Sequence, residues 1–343
     1  MSDHASGTAP AMRRYLGLVC GGAALGLGLV LVFNLAYDPL WYFQGNRLGP
    51  FNFAFNERLS KPNQFLKIAP DRLDCLILGS SRATLIQTRD VPGHHCFNFA
   101  VSSGGVEESV ALARYAQAHG VRAKRLLISL DDFNFMAPGP GTIPDFIRRL
   151  ERPPWFLFQY LSIDTLAFSL RLRRGDSPLD RVYDRRFQAV VRPGRPPYRP
   201  CADPEIQVPL GHPLTAEKIT QFSTLRDLFP EAALHAYLPP QSIPRVRRLL
   251  TGYGRATFLT LMVQAGRMFD SLHDFAIPSA VTADATLTYD GSHYLPEVNR
   301  RLVAAILAGE DGFGLRVDGL PLERYLAAYD QALVRFGAEC QPP

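Results

Sequence analysis

Two short runs of residues carry the side chains that serine acyl chemistry needs. Gly79-Ser80-Ser81-Arg82 follows directly on the apolar run Cys75-Leu76-Ile77-Leu78, and Asp290-Gly291-Ser292-His293-Tyr294 lies far downstream. A serine hydroxyl is a weak nucleophile until a histidine takes its proton and a carboxylate orients that histidine. Ser81, His293 and Asp290 are therefore the candidate nucleophile, base and orienting acid. Ser80 is the alternative nucleophile, one residue back in register, and is otherwise a turn residue. Arg82 is a candidate for binding an anionic substrate group, or for a salt bridge to a neighbouring acid. Tyr289 and Tyr294 read as packing residues, and His94, His95, His119, His212, His235 and His273 as structural or exposed. No Cys-x-x-Cys or His-rich spacing points to a metal, and the chemistry needs no cofactor.

Groups so far apart in sequence meet only on a scaffold that gathers strand ends. The pattern predicts strands at Asp74 to Leu78, Cys96 to Ala100 and Arg125 to Leu130, with an amphipathic helix from Glu107 to His119 ended by Gly120. Strand, helix, strand in this rhythm implies parallel pairing with right-handed crossovers, an α/β class. After Phe135 the rhythm breaks into an insertion of short helices and loops, about 137–213, marked by Pro138-Gly139-Pro140-Gly141 and Arg192-Pro193-Gly194-Arg195-Pro196-Pro197. Alternation then resumes with a helix at Thr215 to Phe229, a strand at Leu234 to Leu238, a partly helical Val246 to Arg267, a last strand region at Phe269 to Ile277, and a helix from Pro296 through Leu307.

The chain has 343 residues, 47% hydrophobic, enough for a sizeable core. Tyr15 to Tyr37 is uncharged throughout and, at about 1.5 Å per residue, long enough to cross a hydrocarbon core of about 30 Å. Arg13 and Arg14 precede it, which predicts a cytoplasmic N-terminus (1–14), a single anchor (15–37) and an exported remainder. A cleaved signal peptide is disfavoured, since its apolar region is shorter and ends in a small-x-small site. An aromatic connector (38–70), the main domain (71–310) and a helical tail (311–343) complete the expected division.

The formal net charge of +5 is unevenly placed: Asp145 to Pro200 holds twelve arginines, no lysine and six acids. That stretch is either a solvated face or a contact for anionic glycan or lipid head groups. Nucleic acid is excluded as a partner by the lack of a basic-aromatic binding motif. Outside the span the cysteines are Cys75, Cys96, Cys201 and Cys340. Cys201 and Cys340 are the expected staple between insertion and tail, and Cys75 and Cys96 read as small buried residues of strands.

With these residues in view, the chain resembles the SGNH-hydrolase superfamily, and in particular its membrane-anchored periplasmic branch, which includes alginate acetylation and teichoic-acid D-alanylation proteins. Gly79-Ser80-Ser81-Arg82 is similar to that superfamily's first block, whose third residue is the nucleophile. Asn98-Phe99-Ala100-Val101-Ser102-Ser103-Gly104-Gly105 resembles the second, which implies an oxyanion donor at Gly104. Asp290-Gly291-Ser292-His293 resembles the terminal Asp-x-x-His block. The third block departs: a Gly-x-Asn-like turn is expected, but Asp131-Asp132-Phe133-Asn134 follows Leu130, so Asn134 would take the oxyanion role by a shift. The two acids either face the site, opposing an oxyanion, or cap a loop and pair with arginines.

The resemblance implies a three-layer fold around a central parallel sheet, a location in the bacterial inner membrane with the main domain periplasmic or extracytoplasmic, and a serine esterase or O-acyltransferase acting on an acylated envelope or secreted polysaccharide. An anionic glycan and a membrane-bound acyltransferase are the implied partners. The alternatives are a non-catalytic glycan-binding or accessory subunit of an envelope acylation complex, and a structural subunit that works through its span.

Overall fold

The computed structural model describes residues 8–135, 155–177, 179–208, 210, 213–309 and 313–337. In chain order the elements are α1 (Thr8–Tyr37), β1 (Asn52–Phe53), α2 (Glu57–Phe65), β2 (Cys75–Leu78), β3 (Cys96–Asn98), α3 (Val106–Ala118), β4 (Arg125–Ser129), α4 (Trp155–Tyr160) and α5 (Ile163–Arg174). There follow β5 (Arg181–Tyr183), β6 (Ala189–Val191), α6 (Ser223–Leu228), β7 (Ala233–Leu238), α7 (Ile243–Tyr253), α8 (Arg255–Gly266), β8 (Ser271–Asp274), α9 (Ala280–Ala283), α10 (Pro296–Ala308), β9 (Leu315–Arg316) and α11 (Leu322–Phe336).

The central sheet has the order β3-β2-β4-β7-β8-β9, parallel throughout except for β9, which runs antiparallel to β8. Side chains alternate between faces along each strand. Leu76, Leu78, Phe97, Leu126 and Ile128 join one core, completed by Val110 of α3, Leu225 of α6, Val246 of α7, Phe258 of α8 and Tyr325 of α11. Cys75, Ile77, Leu127 and Tyr237 join the other, covered by Val298 and Leu302 of α10. Strands buried on both faces read as unbroken apolar runs, as Cys75-Leu76-Ile77-Leu78 does. The C-terminal α11 is part of this packing: Tyr325 and Tyr329 are buried and both donate hydroxyl protons to the carboxylate of Asp274.

Several local expectations are corrected. Cys75 and Cys96 form a disulfide; they are register partners on adjacent parallel strands, which sends both sulfurs to one face, and register is invisible to periodicity. Cys201 is disulfide-bonded, while its expected partner Cys340 lies outside the described residues. Thr215 to Phe229 is not one helix, because the Thr215 amide is held by the Phe135 carbonyl and helical structure begins with a single tight turn at Ile219–Phe222 before α6. Val246 to Arg267, expected to be helical in part, is divided between two helices, Gly254 with φ of +80° ending α7 and starting α8.

The connector and the described part of the insertion pack together. β1 pairs antiparallel with β5, which pairs with β6, making a small second sheet. Residues Ala11 to Leu29 of α1 are exposed on every side, but from Val30 onward one side is covered. There Leu31 and Leu35 pack with Leu40, Leu59, Tyr160 and Phe168, and Asn34 donates from Nδ2 to the Tyr160 carbonyl at 2.7 Å. Asp38, just past the helix, accepts from the amides of Tyr42, Phe43 and Gly45 and from the Tyr160 hydroxyl.

Candidate active site

β2 delivers the turn that carries the candidate nucleophile to the carboxyl end of the sheet. Gly79 leaves the strand at φ +137°, and a Cβ there would lie 2.5 Å from Cβ of Ser129 on β4, so both backbone shape and close approach require glycine. Ser80 then turns inward, 1% exposed, and its Oγ accepts from the Arg82 amide at 3.2 Å. Ser81 opens the following tight turn, Ser81–Ala83, with its hydroxyl directed outward.

The candidate base comes from the loop that precedes α10. Gly291 has φ +83°, and Thr288 clamps the turn: its Oγ1 accepts from the Gly291 amide at 2.9 Å and donates to the His293 carbonyl at 2.9 Å. Asp290 caps the same loop, Oδ1 taking the amides of Ser292 at 2.9 Å and His293 at 2.8 Å. Its other oxygen lies 2.7 Å from His293 Nδ1, and His293 Nε2 lies 2.7 Å from Ser81 Oγ. With Nδ1 as the donor to Asp290, the lone pair of Nε2 faces Ser81. Tyr289 stacks on the imidazole, ring centroids 5.1 Å apart and planes 6° apart, and the Arg195 guanidinium lies over Tyr289.

Burial favours the neutral imidazole and lowers the pKa of His293; Asp290 opposes this, while Arg181 and Arg82 push in the same direction as burial. Burial also works against the Asp290 carboxylate, but the hydrogen bond and charge of His293 and two backbone amides hold it well below the usual carboxylate range. The pair at neutral pH is thus a carboxylate beside a neutral histidine, the state in which Nε2 can accept a proton.

No family model matches the chain, and no curated protein matches it in sequence.

The third block resolves into ion pairing. Arg82 Nη1 lies 2.6 Å from Asp131 and 3.2 Å from Asp132, and Nε donates to Ser292 Oγ at 2.8 Å. Arg82 therefore joins the turn after β2, the end of β4 and the histidine loop through Nε and Nη1. Burial raises the Asp131 pKa while the Arg82 charge opposes it; burial works against Arg82 also, yet the two carboxylates raise its pKa above the ordinary value. Asn134 is buried, its Oδ1 accepting from the Asp131 amide at 2.7 Å, where it shapes this turn. The Gly104 amide donates to the Val101 carbonyl at 2.9 Å, so the expected oxyanion donor is committed within its own turn. A Cβ at Gly104 would meet the Gly79 carbonyl at 2.5 Å, which gives the glycine a packing reason instead. Among the described residues the Ser81 amide has no internal acceptor, which leaves it available beside the hydroxyl.

The side chains missed in the sequence come from the connector and the insertion. Glu57 on α2 and Arg181 on β5 are both buried, with Arg181 Nη2 3.1 Å from Glu57 Oε1 and 2.7 Å from Ser102 Oγ. Glu57 also takes the Ser102 amide at 2.6 Å and the Tyr183 hydroxyl at 2.6 Å. This knot fixes the second block and puts the Arg181 charge within reach of His293. Nothing local distinguishes Arg181 from its exposed neighbours in an arginine-rich stretch. Among the described residues no group of His, Cys, Asp or Glu is arranged to hold a metal.

Proposed function

We propose that the protein is a membrane-anchored, exported serine esterase or O-acyltransferase of SGNH type, acting on an acylated polysaccharide of the envelope or a secreted one. The observation that carries this reading is the continuous relay from Ser81 Oγ through His293 to Asp290, with both links at 2.7 Å. Ser81 attacks the ester carbonyl as Nε2 of His293 takes its proton, and Asp290 stabilises the imidazolium. The tetrahedral oxygen is met by the Ser81 amide; one such donor is worth about 3 kcal/mol of transition-state stabilisation. The imidazolium then protonates the departing alkoxide, leaving an acyl-serine ester. In the second half His293 deprotonates water or a sugar hydroxyl, which attacks the acyl carbon, and the imidazolium returns the proton to Ser81 Oγ as its ester bond breaks. Water gives hydrolysis, and a hydroxyl gives transfer.

The anchor reading is supported by the fold of α1, whose last turns are built into the domain through Asn34, Tyr160 and Asp38, unlike a segment meant for removal. With Arg13 and Arg14 on the cytoplasmic side, the catalytic domain lies outside. A C-terminal reporter active only outside the cytoplasm is the expected result, and cytoplasmic activity would overturn the localisation.

The second reading, a non-catalytic SGNH-like glycan-binding or accessory subunit, is favoured by the committed Gly104 amide. A serine-directed fluorophosphonate separates the two: covalent labelling at Ser81, abolished in Ser81→Ala, supports the enzyme, and an unlabelled folded protein supports the binding subunit.

A further inference from the structure

Away from the triad, a cavity of about 300 Å³ opens between α2, the edge strand β3 and the β5–β6 hairpin, lined among others by Lys61, Gln64, Asn98, Tyr183, Arg185 and Arg186. Lys61 is 1% exposed, and its Nζ has one hydrogen-bond acceptor among the described residues, Asn98 Oδ1 at 3.2 Å. Two of its three N–H bonds thus have no hydrogen-bond acceptor among the described residues, the ammonium otherwise facing the Tyr183 ring at 5.9 Å. The adjacent buried carboxylate, Glu57, is already bonded to Arg181, Tyr183 and Ser102. One carboxylate faces two buried cations, so the cluster carries a positive surplus, and the surplus group lines the cavity. Unpaired buried charge is costly, and an anion is the group that completes it.

A second, open cavity of about 580 Å³ shares Gln64 and Arg185 with the first and adds Trp41, Phe43, Arg47 and Lys67. Among the described residues no Asp or Glu lines either one. The two form a basic groove leading from Lys61 to the outer end of α1. The wholly exposed apolar part of α1, Tyr15 to Leu29, rises only about 22 Å, short of a hydrocarbon core of about 30 Å. The covered turns up to Tyr37 therefore lie in the outer leaflet, which brings Trp41 and Phe43 to the bilayer surface. Phe43 and Ile68, which line the two cavities, are exposed, as a surface touching acyl chains would be.

We propose that the groove is a phosphate site, with the Lys61 cavity as its inner end, and that its occupant is the head group of an anionic lipid from the membrane crossed by α1. Arg185 and Arg186 at the hairpin tip, and Arg47 on the connector, are exposed and have no carboxylate partner among the described residues, so they are available to phosphate oxygens. Burial pushes Lys61 down to about 7 against the pull of Glu57, and phosphate beside it would hold the proton in place. The site rests on the anchor reading for its ligand source but not on the triad.

The test uses the full chain in a neutral detergent, with phosphatidylglycerol or phosphatidylcholine added and retained lipid counted by native mass spectrometry. Phosphatidylglycerol is expected to bind at least tenfold more tightly. Arg185→Ala/Arg186→Ala, which alters exposed side chains, is expected to remove that preference, as is Lys61→Met. Arg171→Ala/Arg173→Ala/Arg174→Ala, on α5 outside the groove, is expected to keep it. Equal binding of the two lipids, or a preference untouched by Arg185→Ala/Arg186→Ala, would overturn the site. Inorganic phosphate bound through Arg185 and Arg186 without retention of phosphatidylglycerol would overturn the lipid source. Because the assay is in detergent, its outcome is independent of the reporter experiment on orientation.

Discussion

Ser80 keeps its hydroxyl on the Arg82 amide, whereas Ser81 presents its own to His293, so adjacent serines are divided between holding the turn and facing the base. Ser81→Ala and His293→Ala should each reduce kcat on a small acyl ester by about a thousandfold or more, and the double variant should be little worse than either single one. Asp290→Ala should retain more activity, since that residue orients and stabilises without transferring the proton. Ser80→Ala should keep most activity and lose about 1 kcal/mol of stability with the capping bond. Full activity in Ser81→Ala with loss in Ser80→Ala would move the nucleophile back one residue. The pH profile follows from His293. Its pKa lies below the ordinary 6.5, and only its neutral form accepts a proton, so kcat should be level from about pH 7 upward and fall as pH drops through that lowered pKa. A profile still rising above pH 8 would contradict a depressed histidine.

Arg82 is where elements are joined, since its guanidinium bridges the turn after β2, the end of β4 and the loop before α10. Arg82→Ala would leave Asp131 buried and unpaired, and a loss of about 3–5 kcal/mol is expected by thermal unfolding. Ser292→Ala removes only the link to the histidine loop and should lower kcat with a stability change of about 1 kcal/mol. If Ser292→Ala leaves kcat intact, Arg82 has no positioning role beyond the ion pairs. These elements differ in how far they could be read from the chain. The strands around Ser81 were legible because apolar runs of strand length alternate with an amphipathic helix, and the Asp290 to His293 spacing already places carboxylate and imidazole on one turn. The third block was legible only as a departure, because a cation from the first block neutralises Asp131 and Asp132, and such pairing across the sheet has no local signature. The resemblance implies a donor at Gly104, but its amide closes a turn whose hydrogen bond has no signature in the sequence. The Cys75–Cys96 disulfide depended on strand register for the same reason.

At the scale of the whole molecule, α1, the connector and the described part of the insertion are packed together rather than being a leash, a spacer and a loop. β1 of the connector is an edge of the insertion's sheet, Glu57 of α2 fixes Arg181 of β5, and the last turns of α1 bury Asn34 against Tyr160. The length of the exposed part of α1 and the extent of the covered part make different contributions, and deletions can separate them. Removing residues 1–29 takes away the exposed stretch Ala11 to Leu29 and leaves the covered turns in place, so the shortened chain should fold and keep Ser81 reactive while no longer being held in membranes. Removing residues 1–38 takes Leu31, Leu35 and Asp38 as well. That deletion uncovers Leu40, Leu59 and Tyr160, and leaves the amides of Tyr42, Phe43 and Gly45 without the carboxylate that gathers them. Each lost bond to a charged acceptor is worth about 1.5–3 kcal/mol, so the longer deletion should unfold at a markedly lower temperature or fail to fold. Thermal unfolding of the two proteins in detergent measures the difference, with fluorophosphonate labelling at Ser81 reporting whether the site survives. Equal stability would mean that α1 is only tethered to the domain, and that the groove beside Trp41 has no fixed place relative to the bilayer.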